Sequence, residues 1–134
     1  MKTFRYSRAL QAAFIGIAMT SSATIARADI KDYEFQLVDK TVKKGDAIIS
    51  VRLIHKTDGK PVTGAVIFAK RLDMAPEGME TMKTTIEPMP STEPGVYKFR
   101  AAVTMEGGWQ LSLGAKIQGE TGTVENKLVL KATP

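Results

Sequence analysis

Five methionines lie between positions 74 and 105, and four of them, Met74, Met79, Met82 and Met89, fall within 16 residues. Thioethers are soft, neutral donors that select Cu(I), and by the same softness Ag(I), over hard or borderline cations. Unlike thiols they form no disulfides and have no proton to lose before binding. Other chemistry is thinly represented. Cysteine is absent and His55 is the sole histidine. No G-x-S-x-G, phosphate-binding loop or H-E-x-x-H occurs, so the chain reads as a non-enzyme. Its carboxylates are scattered, as on a solvated surface.

Period-2 alternation between turn signals is the dominant pattern, and it sets where the methionines fall. Tyr33, Phe35 and Leu37 alternate with Glu34 and Gln36, and Ile49, Val51 and Leu53 alternate with Ser50 and Arg52, up to His55 and a turn at Thr57-Asp58-Gly59-Lys60. A third strand is expected over Ala65 to Met74, with Val66, Phe68, Leu72 and Met74 in one parity and Lys70 interrupting it at an edge. Ala75 to Lys83 reads as a loop with room for one helical turn. A short strand from Thr84 to Glu87 is expected to stop at Pro88. Tyr97 to Met105 and Trp109 to Ile117 form the clearest pair, expected as a hairpin across Gly107-Gly108. A last strand runs from about Thr123 to Lys131. About seven short strands in some hundred residues match an all-β, immunoglobulin-like antiparallel β-sandwich.

Successive antiparallel strands then bring Met74, Met79, Met82, Met105 and Trp109 to one pole, with His55 and Met89 at the other. Met74 and Met105 continue apolar faces and form the expected floor, over which the loop residues Met79 and Met82 close. Met74 and Met105 can also be read as gap-filling core residues, whereas Met79 and Met82, set among Glu77, Gly78, Glu80 and Thr81, read less readily as core. Trp109 reads as a core anchor, or as a ring face or lid for a bound cation. Asp73, Glu77, Glu80 and Glu106 surround the pole and make its potential attractive to cations.

The N-terminus has the layout of a cleavable signal peptide. Lys2, Arg5 and Arg8 precede the mostly apolar run Ala9 to Met19, and Ala26-Arg27-Ala28 supplies the cleavage pattern. The run is too short to span a membrane. A leader over residues 1–28, cut after Ala28, leaves a single domain over 29–134 in the periplasm, with no membrane span. With the leader's four basic residues set aside, fifteen remain against fourteen acidic, a net of +1. No nucleic-acid role follows from so balanced a chain. Without disulfides, stability rests on packing and sheet hydrogen bonds.

Asp58-Gly59-Lys60-Pro61-Val62-Thr63-Gly64-Ala65, the methionine-bearing segment, and Pro94-Gly95-Val96-Tyr97 through Met105-Glu106-Gly107-Gly108-Trp109-Gln110-Leu111 together resemble the YtkA-like and FixH-like family of exported bacterial domains. The likeness runs over roughly Val51 to Lys116. It implies an immunoglobulin-like fold and an association with copper or heavy-metal handling, beside efflux systems or in copper-oxidase assembly. The family's Met-rich loop falls on Met74, Met79 and Met82, and its M-x-G-x-W-like turn on Met105, Gly107 or Gly108, and Trp109. FixH-like members are typically membrane-anchored, whereas this leader looks cleaved, which favours a soluble periplasmic role.

The expectation is thus a Cu(I) or Ag(I) carrier or accessory of a heavy-metal efflux system, holding metal through Met74, Met79, Met82 and Met105 beside Trp109. The alternative is a metal-free interaction module for an efflux or copper-oxidase assembly partner. Oligomeric state is not legible in the residues.

Overall fold

The computed structural model describes residues 29–134, so the leader over 1–28 and its cleavage after Ala28 lie outside the described residues. A 3-10 turn at Ile30–Asp32 leads into β1 (Tyr33–Leu37), β2 (Thr41–Lys43), β3 (Gly45–His55), β4 (Val66–Met74), β5 (Met79–Thr84), β6 (Ile86–Met89), β7 (Val96–Val103), β8 (Gly107–Lys116) and β9 (Val124–Thr133). They form two sheets, one ordered β1-β3-β7-β6 and the other β2-β9-β8-β4-β5. All pairings are antiparallel except β2 with β9. The domain is an all-β sandwich. Among the described residues, no helix is long and apolar enough to cross a membrane.

The alternation builds the core. Phe35, Ile49, Val51, Leu53, Phe99, Ala101 and Val103 project from one sheet onto Leu72, Trp109, Leu111, Leu113, Ala115 and Leu130 of the other. Val51 and Leu53 are wholly buried, and each contributes roughly 1.5–3 kcal/mol of hydrophobic stabilisation relative to exposure. Their neighbour Arg52 stays in water, as the period requires.

Several elements differ from the sequence expectation. The structure has nine strands among the described residues where about seven are expected. The additional ones are the short β2 and β5, the latter lying where a loop is expected. β7 and β8 are not a hairpin: they belong to opposite sheets, so Thr104–Glu106 carries the chain across the sandwich. Two alternating runs joined by a glycine turn look the same in sequence whether the strands pair or face each other.

In β4 a register shift falls between Ile67 and Ala69. The extra residue, Phe68, reverses the parity of what precedes it. Val66 and Phe68 therefore lie outside at 64% and 55% exposure, while Leu72 and Met74 lie in the core. Lys70, paired across from buried Leu113, takes a core-side register position, but its side chain remains exposed at the edge of the sheet. β6 passes through Pro88 instead of stopping there. It can do so because β6 is the edge of its sheet, where a missing N–H costs no ladder bond.

Candidate functional site

The methionine-bearing pole is assembled around the end of β4. Asp73 is buried there, accepting from Arg71 Nε at 2.6 Å and from Ala75 N at 2.9 Å. Burial pushes its carboxyl up, but the hydrogen bonds from Arg71 and Ala75 and the guanidinium charge outweigh it and hold the group below its usual range. The bond to Ala75 starts a 3-10 turn over Ala75–Glu77, with Pro76 in its first turn, and Gly78 ends it in the left-handed conformation at φ 74°. The chain then reverses into β5, where Met79 pairs directly with Met74.

Glu77 closes the turn onto the opposite strand by accepting from Gly108 N at 2.7 Å. The two glycines at the start of β8 are required by this approach. A Cβ on Gly107, whose φ is +120°, would lie 3.0 Å from Glu77 Oε2 and 3.4 Å from Met74 Cε, and one on Gly108 would lie 3.0 Å from Pro76 Cβ. Trp109 follows with its ring buried, and its Nε1 donates to the Met105 carbonyl at 2.9 Å.

The register thus brings Met74, Met79 and the Met105–Trp109 segment together at one end. Met82 precedes Lys83, the partner of Asp73, in the stretch of β5 where the register slips. The side chains are not equivalent. Met74 is wholly buried and Met79 half-buried against the core. Met82 is 38% exposed. Met105 is 39% exposed and is not the core-side floor its parity suggests. β7 ends at Val103, and the chain turns so that the Met105 carbonyl, not its thioether, faces inward to the indole. Trp109 lies beneath the pole as part of its floor, not over it as a lid.

Three of the four acidic residues around this pole have local partners. Asp73 is bound to Arg71, Glu77 to Gly108 N, and Glu106 lies 3.8 Å from Lys44 Nζ. Arg71 also donates to the Glu80 carbonyl at 2.8 Å. Arg71 and Lys44 thus offset part of the negative charge that the four acidic residues bring to this pole. Among the described residues, no group of three or more His, Cys, Asp or Glu side chains is placed to hold a metal.

At the opposite pole His55 and Asp58 shape the β3–β4 turn. His55 Nδ1 lies 3.2 Å from Asp58 Oδ1 and 2.9 Å from Thr57 Oγ1, and its ring meets that of Tyr33 at 5.0 Å. The Lys60 N–H, donating to Asp58 at 3.0 Å, is the main reason this carboxyl sits below its usual range, with His55 adding to it. Sequence reasoning missed what holds this end together. Gly95, at φ +77°, approaches Pro61 so closely that a Cβ would fall 2.5 Å from the proline Cβ. Tyr97 donates its hydroxyl to the Val62 carbonyl at 2.9 Å and accepts from Ala65 N at 3.1 Å. Glycine after proline and before an alternating strand was the available signal, but its contact lies some thirty residues away. Between β4 and the β6–β7 segment a cavity of about 490 Å³ opens, with Met89 in its lining.

Two solved structures are similar to this chain at low identity. The crystal structure of the Lin-41 filamin domain is 14% identical, with 79% of this chain and 94% of that chain covered at a TM-score of 0.45. The ZirS C-terminal domain is 15% identical, with 95% and 88% covered, also at 0.45. No curated protein matches the chain. A family model described as YtkA-like, however, matches residues 27–114. That span takes in β1 to β7, most of β8 and both glycine-dependent closures, and the chain belongs to the YtkA-like family.

Proposed function

We propose that this exported, non-catalytic YtkA-like domain is a periplasmic soft-metal module whose methionine-bearing pole takes up Cu(I) or Ag(I) as cargo for a heavy-metal efflux system. The observation that carries the reading is the direct cross-strand pairing of Met74 with Met79, next to the Gly107 turn that carries Met105. The donor set fits a soft monovalent ion: the thioethers are neutral, and no cluster of harder ligands competes among the described residues. Met79, Met82 and Met105 are the accessible donors. Met74 lies beneath them, so its thioether is a deeper ligand, reached only when β5 yields at its slipped register. Stepwise exchange of thioethers would pass the ion to a partner without any acid–base step.

A second reading has its own support. Met82 and Met105 are among the few large apolar side chains left exposed, and flexible thioethers suit an adaptable contact for an efflux or copper-oxidase assembly partner.

Anaerobic titration with Cu(I) against a competing chelator, followed by Trp109 emission, separates the two. One-to-one binding with a change in emission, lost in the Met79→Leu/Met82→Leu double variant, is the expected result. No competition at any chelator strength would overturn the metal reading and leave the contact surface, which tolerates leucine, in its place.

A further inference from the structure

The cavity at the far pole is separate from the methionine cluster and owes nothing to it. Its volume of about 490 Å³ is within the usual range for small-ligand sites, which combine apolar walls with a few convergent polar groups. Ile67, Val96 and Phe99 supply the apolar lining. Its shape is held by two fixed supports: Gly95 against Pro61, and the Tyr97 hydroxyl bridging Val62 and Ala65. Both hydrogen-bonding positions of that hydroxyl are thereby spent.

Two polar groups of the lining are not spent. Ser91 Oγ is buried and no protein group hydrogen-bonds to it. Buried hydroxyls ordinarily have a partner, and leaving one without is unfavourable. Lys70 follows the bulge and shares the parity of buried Leu72, so it borders the cavity from the core-side face of β4 while its side chain stays exposed at the rim. Among the described residues its ammonium has no carboxylate partner. Lys98 and Glu93, also in the lining, offset each other in charge, so Lys70 leaves the cavity net positive.

We propose that this cavity binds a small carboxylate with an apolar body. The carboxylate would meet Lys70 and accept from Ser91 Oγ, and the hydrocarbon would lie against Ile67, Val96 and Phe99. An extended peptide adding to β4 is the other way to fill the space, since β5 pairs only with Leu72, Asp73 and Met74 and leaves the first part of β4 without a neighbour on that side. The features of β4 disfavour it. A bulge and a lysine on the strand are devices that blunt an edge against strand pairing, and both fall within that unpaired stretch.

The test is calorimetric titration of the full exported protein with sodium octanoate, 1-octanol and octylammonium, accompanied by amide chemical-shift mapping. Octanoate should bind saturably at one site, shifting Ser91, Val96 and Lys70, with the alcohol weaker and the ammonium weakest. Lys70→Met should weaken octanoate about tenfold and Ser91→Ala about threefold, the effects expected for one charge-assisted and one neutral hydrogen bond. Lys70→Gln serves if the methionine variant fails to fold. Octylammonium binding as well as octanoate, or an affinity indifferent to Lys70, would overturn the proposal. So would slowed amide exchange along Val66–Lys70 with an extended peptide while octanoate leaves the cavity resonances unmoved.

Discussion

The two ends of the sandwich are closed by the same device and end up different. At each, a glycine with positive φ is backed against a distant segment: Gly107 against Glu77 and Met74, Gly95 against Pro61. At the methionine pole the closure is completed by charged groups. Asp73, Glu77 and Arg71 tie the β4–β5 turn down, and the space beneath is filled by Met74 and Trp109. At the far pole the closure is completed by one phenol, and the space between the sheets stays open. The proposed metal site at the first end therefore draws on what remains on its surface, and the proposed ligand site at the second on what the fold leaves empty.

The largest expected effect tests whether the methionine pole is packed as tightly as it looks. Met74→Ala should destabilise the domain by about 2–5 kcal/mol in urea denaturation, since a wholly buried side chain leaves a cavity. At the far pole Gly95→Ala should cost about 2–3 kcal/mol, combining left-handed backbone strain with the collision against Pro61. Gly78→Ala provides the control. Its φ is also positive but a Cβ there meets nothing within 4 Å, so only the backbone contribution of about 1 kcal/mol should remain. Equal losses for the two would mean that Gly95 is a turn residue and not a closure.

Tyr97→Phe should cost about 1–2 kcal/mol by removing the group that joins Val62 to Ala65, and the cavity amides should show faster hydrogen exchange. The corresponding tie at the methionine pole is sensitive to pH. Because Asp73 titrates lower in the folded than in the unfolded protein, its stabilisation is present above the unfolded value of about 3.9. It declines as pH falls below that value and is gone once pH passes the folded pKa. Asp73→Asn should lower stability at neutral pH and flatten the acid limb of a stability–pH profile. The smallest effect belongs to Met105→Ala, expected within about 0.5 kcal/mol because the thioether is exposed. A Met105 substitution that abolishes Cu(I) uptake while leaving stability untouched would sharpen the division of this pole into buried frame and accessible donors.

Local pattern carried the fold class. Strands with one wet and one dry face repeat a two-residue period that survives in the sequence, and β1, β3, β7, β8 and β9 lie where that period places them. The gathering of Met74, Met79 and Trp109 at one end was likewise legible, because it needs only the sense of successive strands. The β4 parity was not, since one inserted residue at Phe68 moves every side chain before it to the other face while the string of residues looks unbroken. Nor was the placement of Met105, whose alternation with Val103 continues past the point where the strand ends.

What the sequence determined by itself was periodicity, turn chemistry and donor type, all of which depend on neighbours a few residues apart. Only the tertiary structure decided which sheet each strand joins, that β7 and β8 face rather than pair, that Glu77 is bound to Gly108, and that a cavity opens beside Ser91 and Lys70. Each of these depends on contacts between segments tens of residues apart, and their energies depend on distance in space, which the order of residues along the chain does not contain.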